Sequence, residues 1–165
     1  MVKYADGPTT SVEVEIDATP DRIWRYISDI NVPGQFSTEF QRAEWIDDPP
    51  AVGATFRGFN KNDYIGEWNV ICTVTDYEPG HAFEWIIGEP DLTSARWRFD
   101  VAPTDSGSTL RFTATMGPGP SGLTIAIERR PDREEDIVAR RLQDWTDNMQ
   151  RTIDGIKDLA ESANE

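Results

Sequence analysis

The stretch DREEDIVARRLQDWTDNMQRTIDGIKDLAESA, residues Asp132 to Ala163, decides the fold. Val138, Leu142, Trp145, Met149, Ile153, Ile156 and Ala160 recur at steps of three and four, which puts them on one face of a helix. Asp144, Asp147, Arg151, Asp154 and Asp158 fall on the other faces. The spacing predicts one amphipathic helix over Asp132–Ala163. Asp132, after Pro131, is placed to cap its first turn and Glu135 to complete a capping box. Glu134, Glu135 and Asp136 add negative charge at the positive end of the helix dipole. At about 1.5 Å per residue the helix runs roughly 45 Å, so its apolar stripe calls for a broad sheet to cover it.

The rest of the chain supplies that sheet. Val12, Val14 and Ile16 alternate with Glu13, Glu15 and Asp17, the period of a half-buried strand over residues 11–17. Thr19-Pro20 gives an N-cap and a first-turn proline, and Ile23, Trp24, Ile27 and Ile30 continue at helical spacing to about residue 30. Residues 31–37 contain Pro33-Gly34 and predict a turn or a second small helix. A strand over Phe40–Ile46 follows, closed by Asp47-Asp48-Pro49-Pro50. From Gly53 to Met116 turn residues separate five more strands, about 54–60, 65–77, 82–88, 94–102 and 108–116. Parity puts Phe56 and Gly58, then Trp68, Val70, Cys72 and Val74, on one face. Phe83, Trp85 and Ile87, Trp97, Phe99 and Val101, and Leu110, Phe112, Ala114 and Met116 join them. The other face carries Arg57, Lys61, Asn69, Thr73, Glu84, Arg96, Arg98, Asp100, Arg111 and Thr113. The reading is an α+β fold: an antiparallel meander with one apolar side, covered by the long helix.

Composition narrows the function. The 165 residues fit one domain, 1–165, with no linker or repeat to divide it. Acidic residues outnumber basic ones 30 to 16, and a net charge of −14 repels phosphate backbones and anionic lipid heads. Nucleic acid is thereby excluded as a partner, and so is stable membrane association. The single Cys72 leaves no intramolecular disulfide and no Cys-rich metal site, which suits a reducing cytoplasm. No signal-peptide apolar core and no membrane-spanning run appears. Six Trp and seven Phe are the oddity, because such rings carry large apolar area and must line something.

One strand, two short helices, a six-strand meander and a long C-terminal helix is the order of the helix-grip fold, in which a curved sheet of about seven strands wraps the last helix. The chain resembles the START-like superfamily (Bet v 1 allergens, polyketide cyclases and dehydrases, ubiquinone-binding START proteins), and in particular its bacterial, actinobacterial, polyketide cyclase/dehydrase-like members. The resemblance runs from Val12 to Ala160. It is carried by Ala18-Thr19-Pro20-Asp21-Arg22-Ile23-Trp24, Val52-Gly53-Ala54-Thr55-Phe56-Arg57-Gly58-Phe59-Asn60, Val74-Thr75-Asp76-Tyr77-Glu78-Pro79-Gly80, and Asn148-Met149-Gln150. These motifs mark a scaffold, and a shared fold does not give a shared reaction. The resemblance implies a cavity whose mouth lies among the loops after residues 60 and 88 and the segment after Met116, with Ser121–Arg129 as a lid.

Chemical motifs are sparse. Gly117-Pro118-Gly119-Pro120-Ser121-Gly122 matches G-x-G-x-x-G, but Pro118 and Pro120 have no N–H to offer a pyrophosphate and no parallel βαβ unit surrounds them. His81, the only histidine, sits in a hairpin turn, and one His with one Cys makes neither a catalytic relay nor a zinc site. Asp47-Asp48 and Glu134-Glu135-Asp136 read as turn and helix-start charge, so no metal and no cofactor is expected. Taken singly, each aromatic residue is core. As a set, Trp68, Trp85, Trp97, Phe99, Phe112 and Trp145 converge between one sheet and one helix, more rings than folding requires, and frame an apolar pocket. Phe56, Met116 and Met149 share that face. Asn60 has the parity of Phe56 and points a polar group inward at the mouth, while Tyr64 brings a hydroxyl from the adjoining turn; a plain hairpin explains both equally well.

Two functions follow. One is enclosure of a small hydrophobic ligand. The other is a cyclase or dehydrase acting on a poly-β-keto chain, with Asn60, Tyr64, Arg42 or Glu67 as inward polar groups. An adaptor role needs an exposed apolar patch, for which parity offers only Phe59, Ile71 and Ile86, enough for a weak homodimer and otherwise a monomer.

Overall fold

Alternating strands fold into one seven-stranded sheet in the computed structural model, which describes residues 2–47 and 51–162. Asp48, Pro49, Pro50 and Ala163, expected in a turn and at the helix end, lie outside the described residues. In chain order the elements are β1 (Thr9–Ile16), α1 (Pro20–Ile27), β2 (Phe40–Trp45), β3 (Thr55–Asn62), β4 (Gly66–Glu78), β5 (Ala82–Ile87), β6 (Ala95–Pro103), β7 (Ser108–Met116), α2 (Gly122–Arg129) and α3 (Glu134–Ser162). The strand order is β1-β7-β6-β5-β4-β3-β2, with every pair antiparallel. This is the α+β helix-grip architecture that the sequence predicts.

Local signals act where expected. The Thr19 hydroxyl accepts from the Arg22 N–H at 3.3 Å and opens α1. The small element after it is a 3-10 turn over Pro33–Gln35. One cap differs. A 3-10 turn, Pro131–Arg133, precedes α3, so the helix begins at Glu134 and Asp132 does not cap it. The Asp132 carboxylate instead accepts from the Arg130 guanidinium, both contacts at 3.3 Å.

Cross-strand register confirms the parity through most of the sheet: Phe56 faces Cys72, Gly58 faces Val70, Trp85 faces Trp97 and Phe99 faces Phe112. A bulge breaks it in β4. Val74 pairs with Trp85, but Asp76 pairs with Glu84 and Tyr77 with Phe83. The extra residue slips the alternation by one, turning Tyr77 inward, where its ring meets Trp24 at 5.2 Å and Phe83 at 5.7 Å. Asp76 is thereby turned outward, where its carboxylate accepts from Arg98 at 2.9 Å. The same guanidinium reaches Asp100 at 3.0 Å and Glu84 at 3.3 Å. Desolvation lowers the Arg98 pKa, but these three carboxylates outweigh it and hold the group above its ordinary value.

On that outer face no joint apolar patch forms. Ile86 is 1 % exposed, and Phe59 lies under the Arg42 guanidinium at 3.8 Å, leaving Ile71 exposed. Arg42 also pairs with Glu44 and Glu67 is exposed, so neither points into the interior as the cyclase reading needed.

Helix α3 lies along β1 and β7 and against α1. Ile153, Ile156 and Ala160 are fully buried there with Ile23, Ile27 and Leu110. Gly155 and Thr152, which the apolar stripe does not include, are buried as well. Gly155 is where Phe36 seats: a β-carbon there would come within 2.3 Å of the ring. Towards its N-terminus α3 faces the aromatic surface of β3 to β6 instead, and there the interior opens.

Candidate functional site

Ring size and strand register build this opening. On β5, at the centre of the sheet, Trp85 is ringed by Phe83 at 5.3 Å, Phe56 at 6.0 Å, Phe99 at 6.1 Å and Phe112 at 6.4 Å. Phe99 and Phe112 stack at 3.9 Å, and Trp97 lies 5.7 Å from Phe112. From the helix side Trp145 reaches across to Trp97 at 4.6 Å. Apart from the stacked Phe99 and Phe112 these rings meet tilted or edge-on, and rigid planes so placed leave space between them.

That space is two adjoining cavities. The inner one, of about 160 Å³, lies between the aromatic face and α3; the outer one, an open-sided cleft of about 680 Å³, lies under α2 and the β3–β4 and β5–β6 turns. Phe56, Asn60, Trp68, Trp85, Trp97, Phe99, Phe112, Trp145 and Met149 all line the inner cavity. Met116 and Tyr64 line the outer one. Tyr64 is 75 % exposed, with its hydroxyl hydrogen-bonded by Arg140, and stands at the rim. Trp68 and Trp145 line both.

Polar groups on the walls are few. Glu39, just before β2, and Arg141, on α3, form a bidentate pair with side chains 17 % and 21 % exposed, and the Asn62 amide also donates to Glu39 at 3.3 Å. Cys72 is buried, and loss of solvation pushes its thiol from 9.0 up to about 12, so it stays protonated and unreactive at neutral pH. Asn148 accepts from the Thr38 N–H at 2.9 Å, and Asp29 from the Asn31 N–H at 2.9 Å. The Asn60 amide has no hydrogen-bond partner among the described residues.

Sequence reasoning missed Glu39 and Arg141. A signal existed for Arg141: with Asn148 and Thr152 it lies on the helix flank beside Trp145 and Met149 of the apolar stripe, at the same steps of three and four. Glu39 had none, because its partner is 102 residues away. His81 is exposed in the β4–β5 turn, and no cluster of three or more metal-binding side chains occurs among the described residues. Ser121 caps α2 rather than serving a nucleotide, its hydroxyl accepting from Leu123 N–H at 3.2 Å.

An antiparallel sheet curled about a long helix, with an aromatic cavity between them, defines a START-like, Bet v 1-like protein. Residues 8–161 match the family described as polyketide cyclase / dehydrase and lipid transport, and the chain belongs to that family. No curated protein matches it in sequence. Among solved structures it is similar to the polyketide-cyclase-like protein Cgl2372 of Corynebacterium glutamicum, with TM-score 0.67 and 23% identity over 96% of this chain and 94% of that one. The di-domain ARO/CYC StfQ of the steffimycin biosynthetic pathway superposes with TM-score 0.71 at 15% identity; the match covers 94% of this chain and 51% of that one. Ara h 8.0201 follows at TM-score 0.61 and 12% identity, over 94% and 99%. At these identities the likeness is one of fold. No helix among the described residues is long and apolar enough to cross a membrane.

Proposed function

We propose that the chain, acting as a single cytoplasmic domain, binds a small hydrophobic, ring-containing molecule inside the sheet–helix cavity. The observation that carries this is an aromatic wall on which Glu39 is paired with Arg141 and Cys72 is held as the thiol, while Asp29 is turned out to solvent. A binder needs apolar area and shape, and both are present. Native mass spectrometry of freshly purified protein tests it. A retained apolar adduct, released on denaturation, is expected; protein that carries no adduct and takes up no hydrophobic probe overturns the reading.

The family description favours a second reading, a cyclase or dehydrase working on a poly-β-keto substrate in the same space. Its base would be Glu39, which would take a proton from a carbon flanked by two substrate carbonyls and pass it to the departing hydroxyl, released as water, with the Arg141 guanidinium offsetting the enolate charge. Glu39→Gln keeps the shape and removes the base. Turnover of a poly-β-keto substrate that survives this substitution rules out Glu39, and no turnover by the unaltered protein rules out the second reading.

A further inference from the structure

We propose that Trp145 divides one binding site into two unequal chambers and that the ligand is correspondingly in two parts. Its narrow end is a single ring bearing an acceptor oxygen, held at Asn60 in the inner chamber; its larger apolar body lies under α2 in the outer one. This rests on the ligand-binding reading above and specifies what that ligand is.

The two chambers share a wall. Trp68, Val70, Ile87, Arg141 and Trp145 border both spaces, so these side chains stand between the chambers. Trp145 is the largest contribution from α3 and is held from two directions. Trp97 meets its ring at 4.6 Å, and the Arg141 guanidinium, itself fixed by Glu39, lies 5.9 Å from its centre.

Size comes second. An apolar cavity of roughly 150 Å³ holds one benzene ring. At about 160 Å³ the inner chamber therefore admits one six-membered ring and excludes a fused pair. The outer chamber, about 680 Å³, is of the size that encloses a whole drug-like molecule.

Polarity sets the orientation. Asn60 lines the inner chamber and not the outer one, and its amide has no protein partner among the described residues. The indole N–H groups of Trp85 and Trp97, on the same wall, have no protein acceptor among those residues either. No buried side-chain nitrogen or oxygen lacks a partner among the described residues, so these donors are open to whatever enters. The wall's strongest acceptor, Glu39, is taken by Arg141 and Asn62. The Asn60 amide N–H groups and the two indole N–H groups are thus open donors on this wall, and the complement of a donor is an oxygen acceptor.

Isothermal titration calorimetry with two near-isosteric pairs tests this. Anisole and ethylbenzene are one-ring probes with and without an oxygen; 2-methoxynaphthalene and 2-ethylnaphthalene are their fused-ring counterparts. Anisole is expected to bind about five- to tenfold more tightly than ethylbenzene, and Asn60→Leu to erase that preference. The naphthalenes, confined to the outer chamber, show no oxygen preference in the unaltered protein. Trp145→Ala joins the chambers and creates one, which Asn60→Leu then removes. Equal binding of anisole and ethylbenzene, or an Asn60-dependent preference among the naphthalenes with Trp145 in place, overturns the proposal. The one-ring comparison needs no change at Trp145, so misfolding of that variant does not rescue it. Failure of all four probes to bind overturns the ligand-binding reading itself, a different result.

Discussion

Gly155→Ala reverses the ordinary sign of a helix substitution. In the interior of an exposed helix, alanine is favoured over glycine by about 1 kcal/mol. Position 155 is buried beneath Phe36, and an added β-carbon would lie 2.3 Å from Cδ1 and Cε1 of the ring and 2.5 Å from Cζ. Carbon atoms pack comfortably at about 3.5–4.0 Å, so the ring must retreat by more than about 1 Å. It has little freedom to do so. The Phe36 N–H is bonded to Pro33 O at 3.1 Å, and the next residue, Ser37, accepts from Glu39 N–H at 3.1 Å and Phe40 N–H at 2.9 Å. Overpacking of this kind costs about 1–3 kcal/mol, and the short distances to a held ring place Phe36 in the upper part of that range, so the propensity gain is outweighed and a net loss of up to about 2 kcal/mol is left. Urea unfolding, with an unchanged m-value, measures it. Combining Gly155→Ala with Phe36→Leu separates the causes: the double variant is expected to lose at least about 1 kcal/mol less than the two single losses added together. Stabilisation by Gly155→Ala alone refutes the reasoning, since it would mean that Phe36 moves aside freely.

Trp145→Ala is expected to cost about 2 kcal/mol, less than the roughly 3 kcal/mol of Ile153→Ala, although it removes more atoms, because Trp145 borders two cavities and Ile153 is fully buried. The same urea titrations compare them, and a Trp145 loss above about 4 kcal/mol would show a packed ring instead. Cys72 gives a pH signature. Its folded pKa, about 12, lies above the ordinary 9.0, so its contribution is complete below pH 9 and is lost as pH rises towards 12. Cys72→Ala should flatten the alkaline fall in stability by up to about 1.4 kcal/mol per pH unit within that window, and an unchanged slope contradicts the burial argument. Ser121→Ala removes the cap of α2, a helix with no buried residue. Amide exchange over Gly122–Arg129 should quicken by a factor corresponding to about 1 kcal/mol while global stability holds.

Sequence alone determined the elements and the face each one buries. Alternation and helical spacing are local properties of residue order, and turn residues such as Glu78-Pro79-Gly80 act through their own backbone geometry, so strand boundaries, α1 with its Thr19 cap and the long C-terminal helix were all legible. The convergence of Trp68, Trp85, Trp97 and Trp145 followed from the same periods. Local reasoning failed where a single residue shifts the count. The bulge in β4 ends the alternation after Val74, so that Tyr77 and not Asp76 faces inward, and a 3-10 turn precedes α3, which leaves Asp132 off its cap. Tertiary structure decided what remains. The Glu39–Arg141 pair joins residues with no common pattern, Phe36 finds Gly155 across the fold, and a cavity is the volume left when rigid rings from six strands and one helix have been placed. Residue types fix the sizes of those rings, but the space between them depends on the curl of the sheet and the tilt of α3, which no local run of residues encodes.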